Sequence, residues 1–280
     1  PGTTKEILLP FANSIVDSKN RKKILVGTNF FIGYSPERED PGNLNFETKD
    51  IPRVISGITK SCVEIMKSIY SQIVIDTITV SSTDTAEMTK MLENTYRAVN
   101  IGLINEFKMI SEKMNIDIFE VIEAAKTKPF GFTPYYPGPG LGGHCIPIDP
   151  MYLSWKANEM GISTKFIQLA NEINNFMPEY ILERIKNILE FFDKKISQSK
   201  ILVLGLSYKK NIDDVRESPS LEIINKLIKC GADVNYSDPF FPNFPVTRKF
   251  KFNLKSLKLD KKNINDHDLV LIASDHDSFD

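Results

Sequence analysis

Hydrophobic positions in the first part of the chain alternate between helical and strand-like spacing. Cys62, Ile65 and Ile69 recur at the spacing of one helical face and predict a helix over 59–70. The other elements predicted here are a short helix over 4–9 and strands over 30–34, 54–56 and 73–80. Alternation of this kind indicates the later part of an α/β domain.

A long helical pattern follows, from Asp84 to about 114. Asp84 and Glu87 have the spacing of a capping box, and Gly102 is the only glycine or proline in the pattern. Apolar residues around most of its circumference predict a buried helix. Further helices are predicted over 117–127, 151–158 and 166–192, with Pro178 as the point of a kink or break.

A second α/β unit is predicted from Lys200 onward. It comprises strands over 201–205, 233–236 and 268–273 and a helix over 220–230. The fold class is therefore α/β with an all-helical segment in the middle, and the predicted domains are 1–83, 84–195 and 196–280. A chain of 280 residues is also longer than one hydrophobic core usually holds.

Composition narrows the class of protein further. The formal net charge is −1, so there is no global basic field to attract nucleic acid. The three cysteines form no CxxC pair, which argues against a disulfide framework or a metal site and favours a reducing cytoplasm. No apolar run is long enough to span a membrane. Both termini resemble internal segments, and the chain is expected to be a piece of a longer protein.

A glycine- and proline-rich loop over 129–150 is the first candidate for chemistry, because structureless loops of this length are usually functional. The glycines from Gly138 to Gly143 match G-x-G-x-x-G, but the flanking prolines argue against a strand before them and a helix after them. Such a loop can pass close to a ligand. It leads to Cys145, which is either a nucleophile or a small buried hydrophobe. Cys62 and Cys230 lie on apolar helical faces and are interpreted as buried hydrophobes.

Polar residues elsewhere supply candidate partners. Lys90, Asn94 and Arg97 share one face of the long helix, where they form either a solvated stripe or a site for a developing oxyanion. Glu37 follows a predicted strand, a usual position for ligand-facing residues in α/β sheets. Lys209 and Arg216, after the first strand of the second α/β unit, could contact phosphates.

Together these segments resemble the UDP-glucose/UDP-N-acetylhexosamine dehydrogenase family. The segments that carry the resemblance are Ser35-Pro-Glu37, 86–97, 137–149, Tyr208-Lys209 and 214–219. The resemblance implies a partial Rossmann-like NAD domain, a central helical dimerisation domain and a C-terminal Rossmann-like UDP-binding domain. It also implies a cytoplasmic homodimer that uses NAD and a UDP-sugar, without nucleic acid, membrane or metal.

The resemblance also implies roles for individual residues. Cys145 would capture an aldehyde as a thiohemiacetal and then carry a thioester; Lys90 and Asn94 would stabilise oxyanions. Asp149 would orient water, and Glu37 would act as general acid and base in thioester hydrolysis. The residues expected to bind the UDP-sugar are Tyr136, Gly138, Gly140, Leu141, Gly142, Tyr208 and Lys209. Those expected near the cofactor are Gly143, His144 and Arg216.

Two departures from the family pattern shape the expected function. Pro41 stands where the glucose-type enzymes carry a second glutamate, so the segment resembles the N-acetylhexosamine branch of the family. UDP-N-acetylglucosamine is the leading substrate, and UDP-glucose or UDP-N-acetylmannosamine are the alternatives. The family's first glycine-rich βα turn is missing. A two-electron dehydrogenase resembling the 6-phosphogluconate enzymes stays an alternative, as does a non-catalytic UDP-sugar-binding or dimerisation module.

Overall fold

The computed structural model describes residues 1–15, 23–40, 42 and 45–279. The chain forms two compact units, Pro1–Asn94 and Thr95–Asp280. The boundary between them falls inside one long helix. The domain limits expected near 83 and 195 remain predictions.

The first unit is built around a three-stranded sheet. Its strands are β1 (Gly33–Tyr34), β2 (Arg53–Gly57) and β3 (Thr77–Thr79). Strand β2 lies in the middle, antiparallel to β1 and parallel to β3. Its helices are a π-helical turn, Thr3–Leu8, followed by α1 (Leu9–Ser14) and α2 (Lys60–Tyr70).

Two of the strands predicted in this unit are shorter than expected. Strand β1 contains only the last two residues of 30–34, and β3 only the middle of 73–80. The amides of Ile73 and Val74 donate to the carbonyl of Tyr70, so they complete the C-terminal turn of α2 instead of joining the sheet. Helix α2 itself is confirmed. Thr59 caps it by accepting from the amide of Cys62, whose side chain is fully buried as predicted.

Helix α3 (Thr83–Lys113) corrects two predictions. Its first turn is capped by Ser82, whose hydroxyl accepts from the amide of Thr85 at 3.1 Å, so the predicted capping box of Asp84 and Glu87 is wrong. Glu87 instead accepts hydrogen bonds from the backbone and hydroxyl of Thr4. The helix is also not buried all round, because several of its large apolar side chains are exposed. Those are Met88, Leu92, Tyr96, Leu103, Phe107 and Ile110.

The second unit begins with helices and ends in a parallel sheet. Its helices after α3 are α4 (Ile118–Lys126), α5 (Asp149–Glu159), α6 (Lys165–Phe191), α7 (Pro219–Lys229) and α8 (Lys261–Asn265). Helix α6 continues through Pro178, so the break predicted there is wrong, and the kink stays a prediction. Helix α8 was not predicted, since its few residues are all polar except Ile264.

The sheet of the second unit has the order β5-β4-β6, with both pairings parallel. Its strands are β4 (Lys200–Leu204), β5 (Asp233–Ser237) and β6 (Leu269–Ile272). Helix α7 packs its apolar face on β4, where Ile201, Leu202 and Val203 are fully buried. All three strands end at the same edge, so the loops that follow them meet there. The predicted fold class, α/β with a helical segment, is confirmed.

No helix in the described part of the chain has both the length and the apolar composition that a bilayer crossing requires.

Candidate active site

The glycine-rich loop is positioned by close backbone approach. Gly140 has φ +131°, and a Cβ added there would lie 2.9 Å from the carbonyl oxygen of Asn174. That carbonyl would normally accept from the amide four residues later in α6, but residue 178 is a proline and has no amide hydrogen. The proline thus frees the carbonyl beside which the loop passes. Only glycine combines this backbone conformation with so little space.

The next glycines lie against Tyr208, in the loop that follows β4. A Cβ on Gly142 would overlap the Cβ of Tyr208, and one on Gly143 would lie 3.0 Å from its ring. The amide of Gly143 donates to the carbonyl of Arg216 at 2.8 Å. The structure therefore brings the glycine loop together with Tyr208 and Arg216, two residues singled out from a distant part of the sequence.

A buried amide chain holds the start of the loop. The amide of Gly138 donates to Asn105 Oδ1, and Asn105 Nδ2 donates to Asn174 Oδ1, both at 2.9 Å. Asn174 Nδ2 completes the chain by donating to the carbonyl of Ala98 at 3.1 Å. Because both asparagine side chains are buried, each of these hydrogen bonds is costly to lose.

Cys145 lies at the end of this loop, half-buried, one turn before α5. Its carbonyl accepts from the amides of Ile148 and Asp149, at 3.1 and 2.8 Å, and this joins the cysteine to the start of the helix. The N-terminal end of a helix favours a negative charge nearby. The position therefore differs from the apolar helical faces that carry Cys62 and Cys230.

A guanidinium group, that of Arg216, also interacts electrostatically with Cys145. Arg216 donates to both carboxylate oxygens of Asp214, at 2.7 to 3.0 Å. The pKa of Arg216 is raised, first by that hydrogen bond and charge, and to a smaller degree by Tyr208 and the thiol of Cys145. Burial raises the pKa of Asp214, but the hydrogen bonds and charge of Arg216 outweigh burial and lower it overall. Arg216 is thus a fixed positive charge beside the cysteine loop.

The remaining residues predicted in this unit are placed as follows. His144 is exposed, whereas Leu141, Asp149 and Lys209 are half-buried. The hydroxyl of Tyr136 donates to Glu123 Oε1 at 2.6 Å. Tyr136 and Gly138 also line a mostly apolar cavity of about 900 Å³ against α6 and β6, but Cys145 and Lys209 do not. We therefore give this cavity no part in the chemistry at Cys145.

Glu37 and Lys90 meet in the first unit. Glu37 follows β1 as predicted, and Lys90 Nζ donates to its backbone carbonyl at 2.6 Å. The Glu37 carboxylate accepts from Arg53 Nη1 at 2.9 Å and from the amides of Arg38 and Glu39. Asn94 lies one turn after Lys90 on α3. Pro41, which guided the expected choice of substrate, lies outside the described residues.

Arg53 lowers the pKa of Glu37. Its side chain is nearly buried at the start of β2, and it also approaches Glu39 Oε1 at 3.4 Å. Partial burial raises the pKa of Glu37, but the hydrogen bond and charge of Arg53 and two backbone amides together lower it below its ordinary value of 4.5. Glu37 is therefore held as a carboxylate at neutral pH.

The sequence match to G-x-G-x-x-G does not form a nucleotide-binding turn. Residues 138–143 follow an irregular segment, and the next helix begins only at Asp149. Within the described residues, no G-x-G-x-x-G turn joins a strand to a helix, so the described chain does not fit the pyrophosphate of a dinucleotide at such a turn.

Comparison with known protein families now assigns the chain. Three models of one family match it in order: the NAD-binding domain over 1–74, the central domain over 84–176 and the UDP-binding domain over 202–280. The chain belongs to the UDP-glucose/GDP-mannose dehydrogenase family. The resemblance inferred from the cysteine loop and its neighbouring segments is confirmed.

Members of the family with curated names are similar over the whole chain. The chain is 36% identical to UDP-N-acetyl-D-mannosamine dehydrogenase of Methanocaldococcus jannaschii, covering 100% of this chain and 58% of the relative. It is 30% identical to UDP-N-acetyl-D-glucosamine 6-dehydrogenase of Salmonella typhi, covering 100% and 63%. The chain thus spans about three fifths of the length of such relatives.

A solved structure shows the same fold. The UDP-D-ManNAc dehydrogenase of Pyrococcus horikoshii superposes with a TM-score of 0.83 at 30% identity, covering 100% of this chain and 61% of that one. The order of α/β, helical and α/β segments is therefore shared with a dehydrogenase of this family.

Sequence reasoning missed several buried residues that hold the Cys145 loop or the Glu37 carboxylate. Asn105 and Asn174 are buried on helices, and Arg53 is buried at the start of a strand. One signal was available for each: a polar residue that interrupts an apolar face or run. Their partners are distant in sequence, so that signal could not say what each residue holds.

Proposed function

We propose that the protein takes part in oxidising the C6 alcohol of a UDP-sugar to a carboxylate, with Cys145 as the nucleophile. The observation that carries this proposal is the position of Cys145. It lies on a glycine loop packed against Tyr208, one turn before a helix and in the field of Arg216. A thiolate there can add to the carbon of a C6 aldehyde to give a thiohemiacetal, and loss of a hydride to the cofactor and of the hydroxyl proton then leaves a thioester.

The Cys145 loop leaves room for the sugar. No atom lies within 4 Å of a Cβ added to Gly138, although the amide of Gly138 is fixed by Asn105. The loop therefore has a fixed backbone and little side-chain bulk, which suits close contact with a ligand. Gly138, Gly140, Leu141 and Gly142 would follow the sugar, and Tyr136 would border it.

Residues of the first unit would stabilise the oxyanion and accept a proton from the attacking water. Lys90, with Asn94 one turn later, would stabilise the oxyanion formed when sulfur or water adds to C6. Glu37, held as a carboxylate by Arg53, would serve as the proton acceptor when water attacks the thioester. Asp149, in the first turn of α5, would orient that water. Tyr208 and Lys209 would hold the UDP part of the substrate.

NAD is the proposed cofactor, since the family model over 1–74 is described as an NAD-binding domain. The four-electron oxidation releases two hydrides, and two NAD molecules, bound one after the other, would each accept one of them. Arg216, Gly143 and His144 are proposed to face it. The described residues supply no pyrophosphate-binding turn, so they contribute contacts around the cofactor and not its main binding site.

The proposed substrate is a UDP-N-acetylhexosamine. The sequence pattern around Glu37 favours UDP-N-acetylglucosamine as the first candidate. UDP-N-acetylmannosamine is the second candidate, because several relatives at 33–36% identity carry that name. UDP-glucose is the alternative that Pro41 disfavours.

A homodimer through α3 is proposed as the assembly. Tyr96, Leu103, Phe107 and Ile110 are about half exposed and recur at spacings of three, four and seven residues, so they form one apolar stripe. A second copy of the helix would cover it. Light scattering after size-exclusion chromatography should give a dimer, and Leu103→Glu should shift it toward the monomer. A cytoplasmic location is proposed with it.

The proposed activity is tested with a panel of UDP-sugars. The protein, expressed with any sequence that flanks residues 1–280 in its gene, is incubated with NAD and each UDP-sugar, and the uronate is identified by mass spectrometry. We expect a UDP-N-acetylhexosaminuronate from one epimer in preference to the other. A panel that yields no uronate from any UDP-sugar would overturn the proposal.

A further inference from the structure

A buried histidine lies behind the loop that follows β4. His276 comes shortly after the end of β6 and is only 2% exposed. Its Nδ1 accepts a hydrogen bond from the backbone amide of Asn211 at 2.9 Å. A backbone amide can only donate, so Nδ1 must carry a lone pair and the neutral ring must carry its proton on Nε2. The loop amide thus fixes the tautomer of the histidine.

An aspartate lies beside the other side of the ring, although His276 Nε2 donates no hydrogen bond to it. His276 Nε2 lies 3.3 Å from Asp238 Oδ2, and Asp238, which directly follows β5, is 4% exposed. The same carboxylate accepts from the amides of Leu206, Phe240 and Phe241 at 2.6 to 3.2 Å. The Asp238–His276 pair therefore joins the loops that follow all three strands of the sheet.

The Asn211 turn has further bonds to the same segment. Asn211 has φ +59°, and its side chain exchanges hydrogen bonds with Asp277 at 2.6 and 3.0 Å. Lys210 Nζ lies 2.5 Å from Asp277 Oδ1. The hydroxyl of Ser274 donates to the carbonyl of Ser207. The turn over 207–212 is thus held to the chain after β6 by several bonds, and the His276 bond is the one that a buried side chain makes to the Asn211 amide.

This turn carries Tyr208 and Lys209. The segment between β4 and α7 has no regular secondary structure, so side-chain and turn contacts must set its conformation. We propose that His276, through its hydrogen bond with the Asn211 amide, is a positioning residue that holds the Tyr208-Lys209 turn in the conformation that binds the UDP part of the substrate. This inference rests on the proposed function, which assigns UDP binding to that turn. His276 would touch no ligand itself and would act on UDP binding through Asn211.

Two substitutions of His276 distinguish the hydrogen bond at Nδ1 from the contact at Nε2. His276→Gln keeps a donor beside Asp238 but places no acceptor at the δ position. His276→Asn keeps an acceptor at the δ position for the Asn211 amide. His267→Gln is the matched control, because His267 is half-buried in the same unit but precedes β6, at the opposite end of the sheet.

UDP binding to the 280-residue chain is measured by calorimetry, beside urea unfolding of each variant. We expect His276→Gln to weaken UDP binding roughly fivefold to tenfold, the loss typical of one hydrogen bond. His276→Asn should recover most of that affinity, and His267→Gln should bind UDP like the parent. If His276→Gln is folded and binds UDP within twofold of the parent, the proposal is wrong.

A measurement on the unsubstituted chain covers the case in which His276→Gln does not fold. Hydrogen exchange of the Asn211 amide, followed by NMR, should be slow and should slow further with saturating UDP. An Asn211 amide that exchanges equally fast with and without bound UDP would overturn the proposal. If the parent chain binds no UDP at all, the proposed function fails first, and the role of His276 falls with it.

Discussion

The Cys145 loop, residues 129–150, and the Glu37 loop, residues 35–40, are fixed by different kinds of interaction. The Cys145 loop is fixed mainly by shape, since Gly140 passes the carbonyl of Asn174 and Gly142 passes Tyr208 without room for a side chain. The Glu37 loop is fixed mainly by charge, through the nearly buried guanidinium of Arg53. A nucleophile needs open space for its substrate, whereas a carboxylate that is to accept a proton needs a partner that fixes its position. The two loops meet these needs with different residue types.

The largest expected effect concerns the nucleophile. Cys145→Ser should lower turnover by at least about 10³, because a hydroxyl at that position is a far weaker nucleophile than a thiolate. Turnover is measured as NADH formation with excess UDP-sugar. Cys230→Ser is the control, as Cys230 only ends α7, and it should leave turnover unchanged. Equal turnover for both variants would remove Cys145 from the mechanism.

Lys90 should have the next largest effect. Lys90→Ala is expected to lower kcat by about 10²–10³, the usual loss for one oxyanion donor, and to change UDP-sugar affinity little. Steady-state kinetics separates the two quantities. Lys113→Ala, on an exposed position in the last turn of the same helix, is the control. A variant with normal kcat and only a raised KM would show that Lys90 binds substrate without taking part in the reaction.

Gly142 tests the claim that shape fixes the cysteine loop. Gly142→Ala should lower the free energy of unfolding by about 1–3 kcal/mol, since the new methyl group would overlap Tyr208. Gly138→Ala meets open space and should leave the free energy of unfolding within about 0.5 kcal/mol of the parent. Urea denaturation of both variants measures the difference. Equal stabilities would contradict the claim of close packing at Gly142.

Glu37 tests the claim that charge fixes the other loop. Its pKa is lowered in the folded chain, so its ion pair stabilises the fold above the unfolded value of 4.5. That stabilisation should disappear as the pH falls through the lower, folded pKa. Glu37→Gln should lose at most about 1 kcal/mol at pH 7, because the carboxylate is largely exposed, and nothing at the acid end.

The Glu37 measurement needs a control for the other carboxylates. Glu64→Gln, exposed on α2, should show no such dependence on pH. Urea unfolding of parent and variants between pH 3 and pH 7 gives the comparison. If the Glu37→Gln difference does not change with pH, the Arg53 ion pair does not hold the loop.

Local patterns predicted most of the fold. The apolar spacing that includes Cys62 predicted α2, although only Cys62 of that face is buried. The run from Ile201 predicted β4, whose residues Ile201, Leu202 and Val203 are fully buried. The prediction of a capping box at Asp84 was wrong because the hydrogen-bond partners of Glu87 are not local in sequence. Glu87 finds its partners in Thr3 and Thr4, which lie more than eighty residues away, and no local rule can detect such a pairing.

The same limit applies to the site. The glycine pattern and Cys145 were visible because their signal is continuous along the chain. Arg53, Asn174 and His276 were not singled out, since each acts through a partner that only the fold brings close. The charge-fixed loop was therefore harder to predict than the shape-fixed loop.

The stoichiometry of NADH to product tests the central claim most directly. If Cys145 carries a thioester, the protein, expressed with any flanking sequence of its gene, should form two NADH for each uronate released, with no free aldehyde. NADH is followed by absorbance, and the sugar products are quantified by mass spectrometry. One NADH for each sugar oxidised, with the aldehyde as the released product, would contradict the account.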